Sequence, residues 1–63
     1  MDRNNYIDYA KTFGYGIQFT GIGMAYVTYG DNFLTEAMDI DKAEDFLALL
    51  GMTLMEAFME GTH

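Results

Sequence analysis

The stretch DFLALLGMTLMEAFMEG, residues 45–61, carries one charge, Glu56, between Phe46 and Met59. A surface helix keeps a polar face, and a helix that is apolar all round is buried on several sides. Here Phe46, Leu49, Leu50, Thr53 and Ala57 form one stripe, while Leu47, Leu54, Met55, Phe58 and Met59 spread over the rest. The whole chain has only 63 residues to cover them. A domain of that length buries about 60% of the surface its unfolded chain exposes. Small domains usually add disulfides, a metal or association. With no cysteine, disulfides and thiolate metal sites are excluded. Good packing or association with another chain has to supply the rest.

Gly51 leaves the closing segment two forms. In one, a single helix runs from Lys42 to Met59 and tolerates Gly51 at about 1 kcal/mol. In the other, Gly51 ends a first helix and Thr53 opens a second, with Thr53 to Glu56 as a capping box. The string Leu47 to Thr53 then resembles the turn of a helix-turn-helix unit. A recognition helix needs Arg, Lys, Asn or Gln for bases and phosphates, and residues 53–60 offer only Thr53, Glu56 and Glu60. The balance falls narrowly on the straight form. Its start is expected at Asp41, with Glu44 completing a wide capping box and Asp39 near the positive end of the helix dipole.

Upstream, Tyr6, Tyr9, Ala10 and Phe13 fall at helical spacing, which predicts a helix over residues 4–13, capped by Asn4 or Asn5 and stopped by Gly14. Tyr15, Ile17 and Phe19 then alternate with Gly16, Gln18 and Thr20, and Met24, Tyr26 and Thr28 with Ala25, Val27 and Tyr29. This is the period of strands, joined through Thr20 to Gly23 as a hairpin. Residues 33–38 are ambiguous. Phe33 to Ala37 reads as a third strand, favoured because a lone hairpin is marginal, but Leu34, Ala37 and Met38 also suit a short helix. The expected fold is α+β in a single domain over residues 1–63: a short N-terminal helix, a small antiparallel sheet of two or three strands, and a long or Gly51-broken C-terminal helix.

Charge constrains function more than any motif. Ten acids face three bases, a net charge of −7. Nucleic acids are bound through cations that displace counterions, so direct DNA or RNA binding is not expected, nor adsorption to anionic lipid. Thr12 to Gly30 is uncharged and nineteen residues long, but its five glycines, Gln18 and three tyrosines do not suit a bilayer. The start, MDRNNYIDYAK, does not read as a signal peptide, and the absence of cysteine fits a reducing compartment; a cytoplasmic location is expected.

Catalytic chemistry has little to work with. Serine and cysteine are absent, and the single histidine, His63, is the last residue. DIDKAEDF (Asp39, Asp41, Glu44, Asp45) misses the calcium-loop pattern at positions 43 and 44. No cofactor, metal or enzymatic activity is expected. Six acids, Asp31, Glu36, Asp39, Asp41, Glu44 and Asp45, fall within fifteen residues. They are the candidate contact with a larger protein bearing a basic surface. Leu47, Leu50, Leu54, Met55, Phe58 and Met59 are the candidate association surface, for a dimer or a partner. Five internal methionines and five tyrosines add adaptable and amphipathic contact residues. Very small, acidic, cysteine-free chains without a catalytic motif are a form shared by phage-encoded inhibitors, including anti-CRISPR and DNA-mimic proteins. That is an analogy of composition. It implies an inhibitor that blocks a nucleic-acid-binding groove in the host cytoplasm. The alternative is a homo-oligomeric structural or adaptor subunit joined through the C-terminal helix.

Overall fold

The computed structural model describes residues 2–60. Helix α1 (Arg3–Lys11) is followed by strands β1 (Tyr15–Phe19), β2 (Met24–Tyr29), β3 (Asn32–Phe33) and β4 (Met38–Asp39), and then helix α2 (Ile40–Glu60). The α+β expectation holds, with a sheet of four strands, two of them only two residues long.

Helix α1 starts earlier than its spacing suggested. Asp2, not Asn4 or Asn5, is the cap, and its Oδ1 accepts from the Asn5 N–H at 3.1 Å. The helix also ends sooner, at Lys11, and Gly14 leaves the following turn at φ +100°. The buried face is therefore Ile7 and Ala10, with Tyr6 and Tyr9 half-buried. Phe13 lies beyond the helix, exposed, with its ring edge-on to Tyr9.

The hairpin forms as its alternation dictates, in the register Tyr15↔Tyr29, Ile17↔Val27, Phe19↔Ala25. Tyr15, Ile17, Ala25 and Val27 turn toward the helices, and Ala25 and Val27 are fully buried. The loop is tight: Gly21, Ile22 and Gly23 all have positive φ. Ile22 is the exception among them, a β-branched residue held at φ 46° and fully exposed.

The third strand is interrupted. Asn32 and Phe33 pair with Tyr29 and Thr28, and Met38 and Asp39 pair with Ala25 and Met24. Between them residues 34–37 bulge out, four residues facing two of β2, so the strand expected over 33–37 keeps only Phe33 and no helix forms there. The bulge still satisfies β2: Leu34 N–H donates to the Val27 carbonyl at 2.8 Å, and Val27 N–H donates to Thr35 Oγ1 at 3.1 Å.

Helix α2 is straight through Gly51, which settles the choice between one helix and two. Thr53 caps nothing; its hydroxyl donates to the Leu49 carbonyl one turn back at 3.0 Å, so the helix-turn-helix resemblance fails on geometry as well as on chemistry. The helix also begins before Asp41, at Ile40, whose N–H donates to the Gly23 carbonyl at 3.2 Å. Asp41 lies in the first turn and not at the cap. Gly51 is needed for a different reason. A Cβ there would run into the Tyr6 carbonyl, with its carbon only 2.7 Å away. Glycine thus lets α2 lie backbone to backbone on α1. Small residues do the same elsewhere in the core, which is built from Ile7, Ala10, Ala25, Val27, Ala43, Leu47 and Ala48.

Candidate acidic edge and exposed helix face

The two sets of candidate residues meet different fates. Of the acids, Asp31 sits in the turn between β2 and β3, Glu36 in the bulge, Asp39 on β4, and Asp41, Glu44 and Asp45 in the first turns of α2. All six are therefore on the side of the sheet formed by β3 and β4, or on the helix that follows. They do not form one cluster. Asn32 is opposite Tyr29 and Asp39 is opposite Met24, so five residue steps along β2 separate the ends of the row, about 17 Å at strand rise. Among the described residues no three acidic or histidine side chains gather as a metal site. His63 lies outside the described residues.

Glu44 and Asp45 are already engaged. Arg3 reaches from the start of α1 to Asp45 Oδ1 at 2.8 Å and to Glu44 Oε1 at 3.6 Å. The hydrogen bond to Asp45 raises the guanidinium pKa further above its ordinary value, with charge from Asp45, Glu44 and Asp41 adding to it. Arg3 also relieves the like-charge pair Asp41 and Asp45, one helical turn apart. Asp31, Glu36, Asp39 and Asp41 are exposed.

The apolar candidates split. Leu47 is fully buried in the core of this single chain and is not available to a partner. Leu50, Leu54 and Met55 are half-buried, and Leu50 packs on the core. Only Phe58 and Met59 of that set are largely exposed. Helix α2 also presents Phe46, Leu49 and Met52. Leu49 and Met52 join Arg3, Tyr6, Asp45 and Ala48 around an open groove of about 300 Å³ between the helices. The helix is apolar all round because α1 and the sheet take two sides of it. Sequence reasoning missed this division, along with Arg3 and Thr35. No spacing signals a cation or a hydroxyl acting across 42 or 8 residues.

The distribution of charge has a simple form. Up to residue 30, Asp2 and Asp8 cancel Arg3 and Lys11. After it, eight acids face Lys42 alone, so the entire net charge of −7 belongs to residues 31–63. Comparison with protein-family models, curated proteins and solved structures finds no match. Among the described residues no helix is long and apolar enough to cross a membrane.

Proposed function

We propose that this chain is a non-enzymatic binding protein that sets its acidic edge against a basic, nucleic-acid-binding surface of a larger protein and blocks it, in the manner of phage anti-CRISPR and DNA-mimic inhibitors. The observation that carries the reading is the segregation of charge: Asp31, Glu36, Asp39 and Asp41 stand exposed along one side of a molecule whose other half is neutral. Asp31, Glu36 and Asp39 spread over about 17 Å, one charge per roughly 8 Å, and Asp41 follows on α2. A single DNA strand carries one per about 3.4 Å. The row is thus a sparse imitation of one phosphate strand, enough to steer onto a basic groove and to compete with its ligand.

The test is displacement of labelled duplex DNA from basic nucleic-acid-binding proteins, RNA-guided nucleases among them, followed by fluorescence anisotropy. Displacement is expected at about 0.05 M salt and should be lost at about 0.5 M, where screening shortens to a few ångströms. The variant D31N/E36Q/D39N/D41N should keep the fold and lose the displacement. Displacement that ignores both salt and these substitutions would overturn the electrostatic mechanism.

A second reading, a homo-oligomeric structural or adaptor subunit, draws on the exposure of Leu49 and Phe58, 59% and 63%, on α2. Phe58→Asp probes it without touching the core, whereas Leu54→Asp would also strike a half-buried position.

A further inference from the structure

The two edges of the sheet are treated differently. On the β3/β4 side, the strand is short, bulged and lined with acids, all of which discourage another strand from adding. The β1 side has none of these devices. YGIQF contains no charge and no proline, and no bulge interrupts its register with β2.

The hydrogen-bond phase of β1 follows from its ends. Gly30 N–H donates to the Gly14 carbonyl and Thr20 N–H to the Met24 carbonyl, both at 3.0 Å. In an antiparallel ladder bonded pairs alternate with unbonded ones. Gly14, Gly16, Gln18 and Thr20 therefore bond inward to β2. Tyr15, Ile17 and Phe19 direct their N–H and C=O groups outward, and no turn, loop or side-chain hydrogen bond among the described residues reaches them.

We infer that β1 pairs with β1 of a second copy, antiparallel and centred on Ile17, to give a two-fold dimer with one continuous sheet. Charge selects the occupant. Two copies carry −7 each, and contact through residues 31–45, where six acids face one lysine, sets like charges face to face. Contact through β1 joins the two neutral halves and leaves both acidic edges at the far ends of the sheet. A basic partner, by contrast, is drawn to the acids and away from this edge.

The register is self-complementary, as a two-fold interface requires. Ile17 meets Ile17 of the second copy, and Tyr15 meets its Phe19, in hydrogen-bonded pairs that exchange about six main-chain bonds. The outward pairs bring aromatic rings together on the helix-facing side, where Phe19 is 62% exposed in the single chain. Gly16 faces Gln18 of the second copy on the open side, with no bulk to prevent approach. The dimer stands whether or not the acidic edge binds a basic protein, and it would present two such edges in one particle.

Sedimentation equilibrium of the full chain from about 10 μM to about 1 mM tests the dimer by mass action. A dimer is expected. Ile17→Pro should weaken it about thirtyfold, since it removes the central outward donor from each copy, while a proline whose N–H faced away from β2 is tolerated in an edge strand. Phe19→Lys should weaken it as well, and Phe58→Asp should not. Amide exchange on the unmodified chain gives a readout free of any folding defect. In dilute solution Gly16 and Gln18 should be protected and Tyr15, Ile17 and Phe19 should not; all five should be protected at high concentration. A chain that stays monomeric to about 1 mM overturns the inference. So does a dimer that survives Ile17→Pro and Phe19→Lys but dissociates on Phe58→Asp, or one whose odd-numbered β1 amides gain no protection.

Discussion

The first thirty residues and the remainder are different kinds of material. The first half folds from local rules: a capped helix and a hairpin whose alternation fixes which side chains face inward. It is electrically neutral, and its sheet edge is open. The second half carries the whole net charge, and little of it is periodic until α2 begins. Its short strands exist because β2 offers Ala25, Val27 and Tyr29 for pairing and the bulge completes what they leave. The contrast teaches that charge here is a matter of placement more than amount. The acids guard one edge and leave the other available.

Three joints hold the halves together, and breaking them ranks their importance. Gly51→Ala should have the largest effect. Alanine improves helix propensity by about 1 kcal/mol, but its Cβ meets the Tyr6 carbonyl, which is backbone and has no rotamer to move. Forcing the helices apart should cost about 3 kcal/mol net. In a domain of this size that lowers Tm by more than about 12 °C, readable by thermal circular dichroism. An unchanged Tm would mean that α2 does not lie on α1 at this point. Thr35→Val should come next. It keeps the shape of the bulge but leaves the buried Val27 N–H without an acceptor, a loss of about 2 kcal/mol in urea unfolding. If stability does not move, the bulge is not what closes the guarded edge.

These joints also mark where the sequence could be read and where it could not. The hairpin was legible residue by residue, because period two assigns every side chain to a face. The length of α2 was legible too, and its straightness nearly so. Gly51 by itself suits a break or a close crossing equally well, and only the Tyr6 carbonyl decides between them. The bulge was not legible, since Leu34, Thr35, Glu36 and Ala37 have no pattern of their own and take their path from β2. The crowding of six acids into residues 31–45 was legible, but not that Arg3 holds two of them. The apolar candidates were chosen from a helix with no polar face. Burial then follows neighbours that the helix sequence does not contain, which is why Leu47 proves to be core and Leu49 surface.

The tip of the hairpin stores strain within the neutral half. Ile22 adopts φ 46°, a region that crowds a β-branched side chain, and it gains nothing from burial in the single chain. Ile22→Asn should therefore stabilise the fold by about 1 kcal/mol, measured by urea unfolding. A loss of stability instead would show that the isoleucine makes a contact worth more than its strain.

The smallest effect is expected where the halves meet by charge. Arg3 spans them through Glu44 and Asp45, yet its side chain is 43% exposed and that of Asp45 is 68% exposed. Exposed ion pairs contribute little, because water and salt screen them and two long side chains must be held still. Arg3→Met keeps the aliphatic stem beside Tyr6 and Leu49 and removes only the charge. Its cost in urea unfolding should be well below that of Gly51→Ala, and it should shrink further as salt rises. If the two substitutions cost the same, or if the cost of Arg3→Met does not depend on salt, then the halves are joined by electrostatics. The close backbone crossing at Gly51 would then be a consequence of the fold and not its fastening.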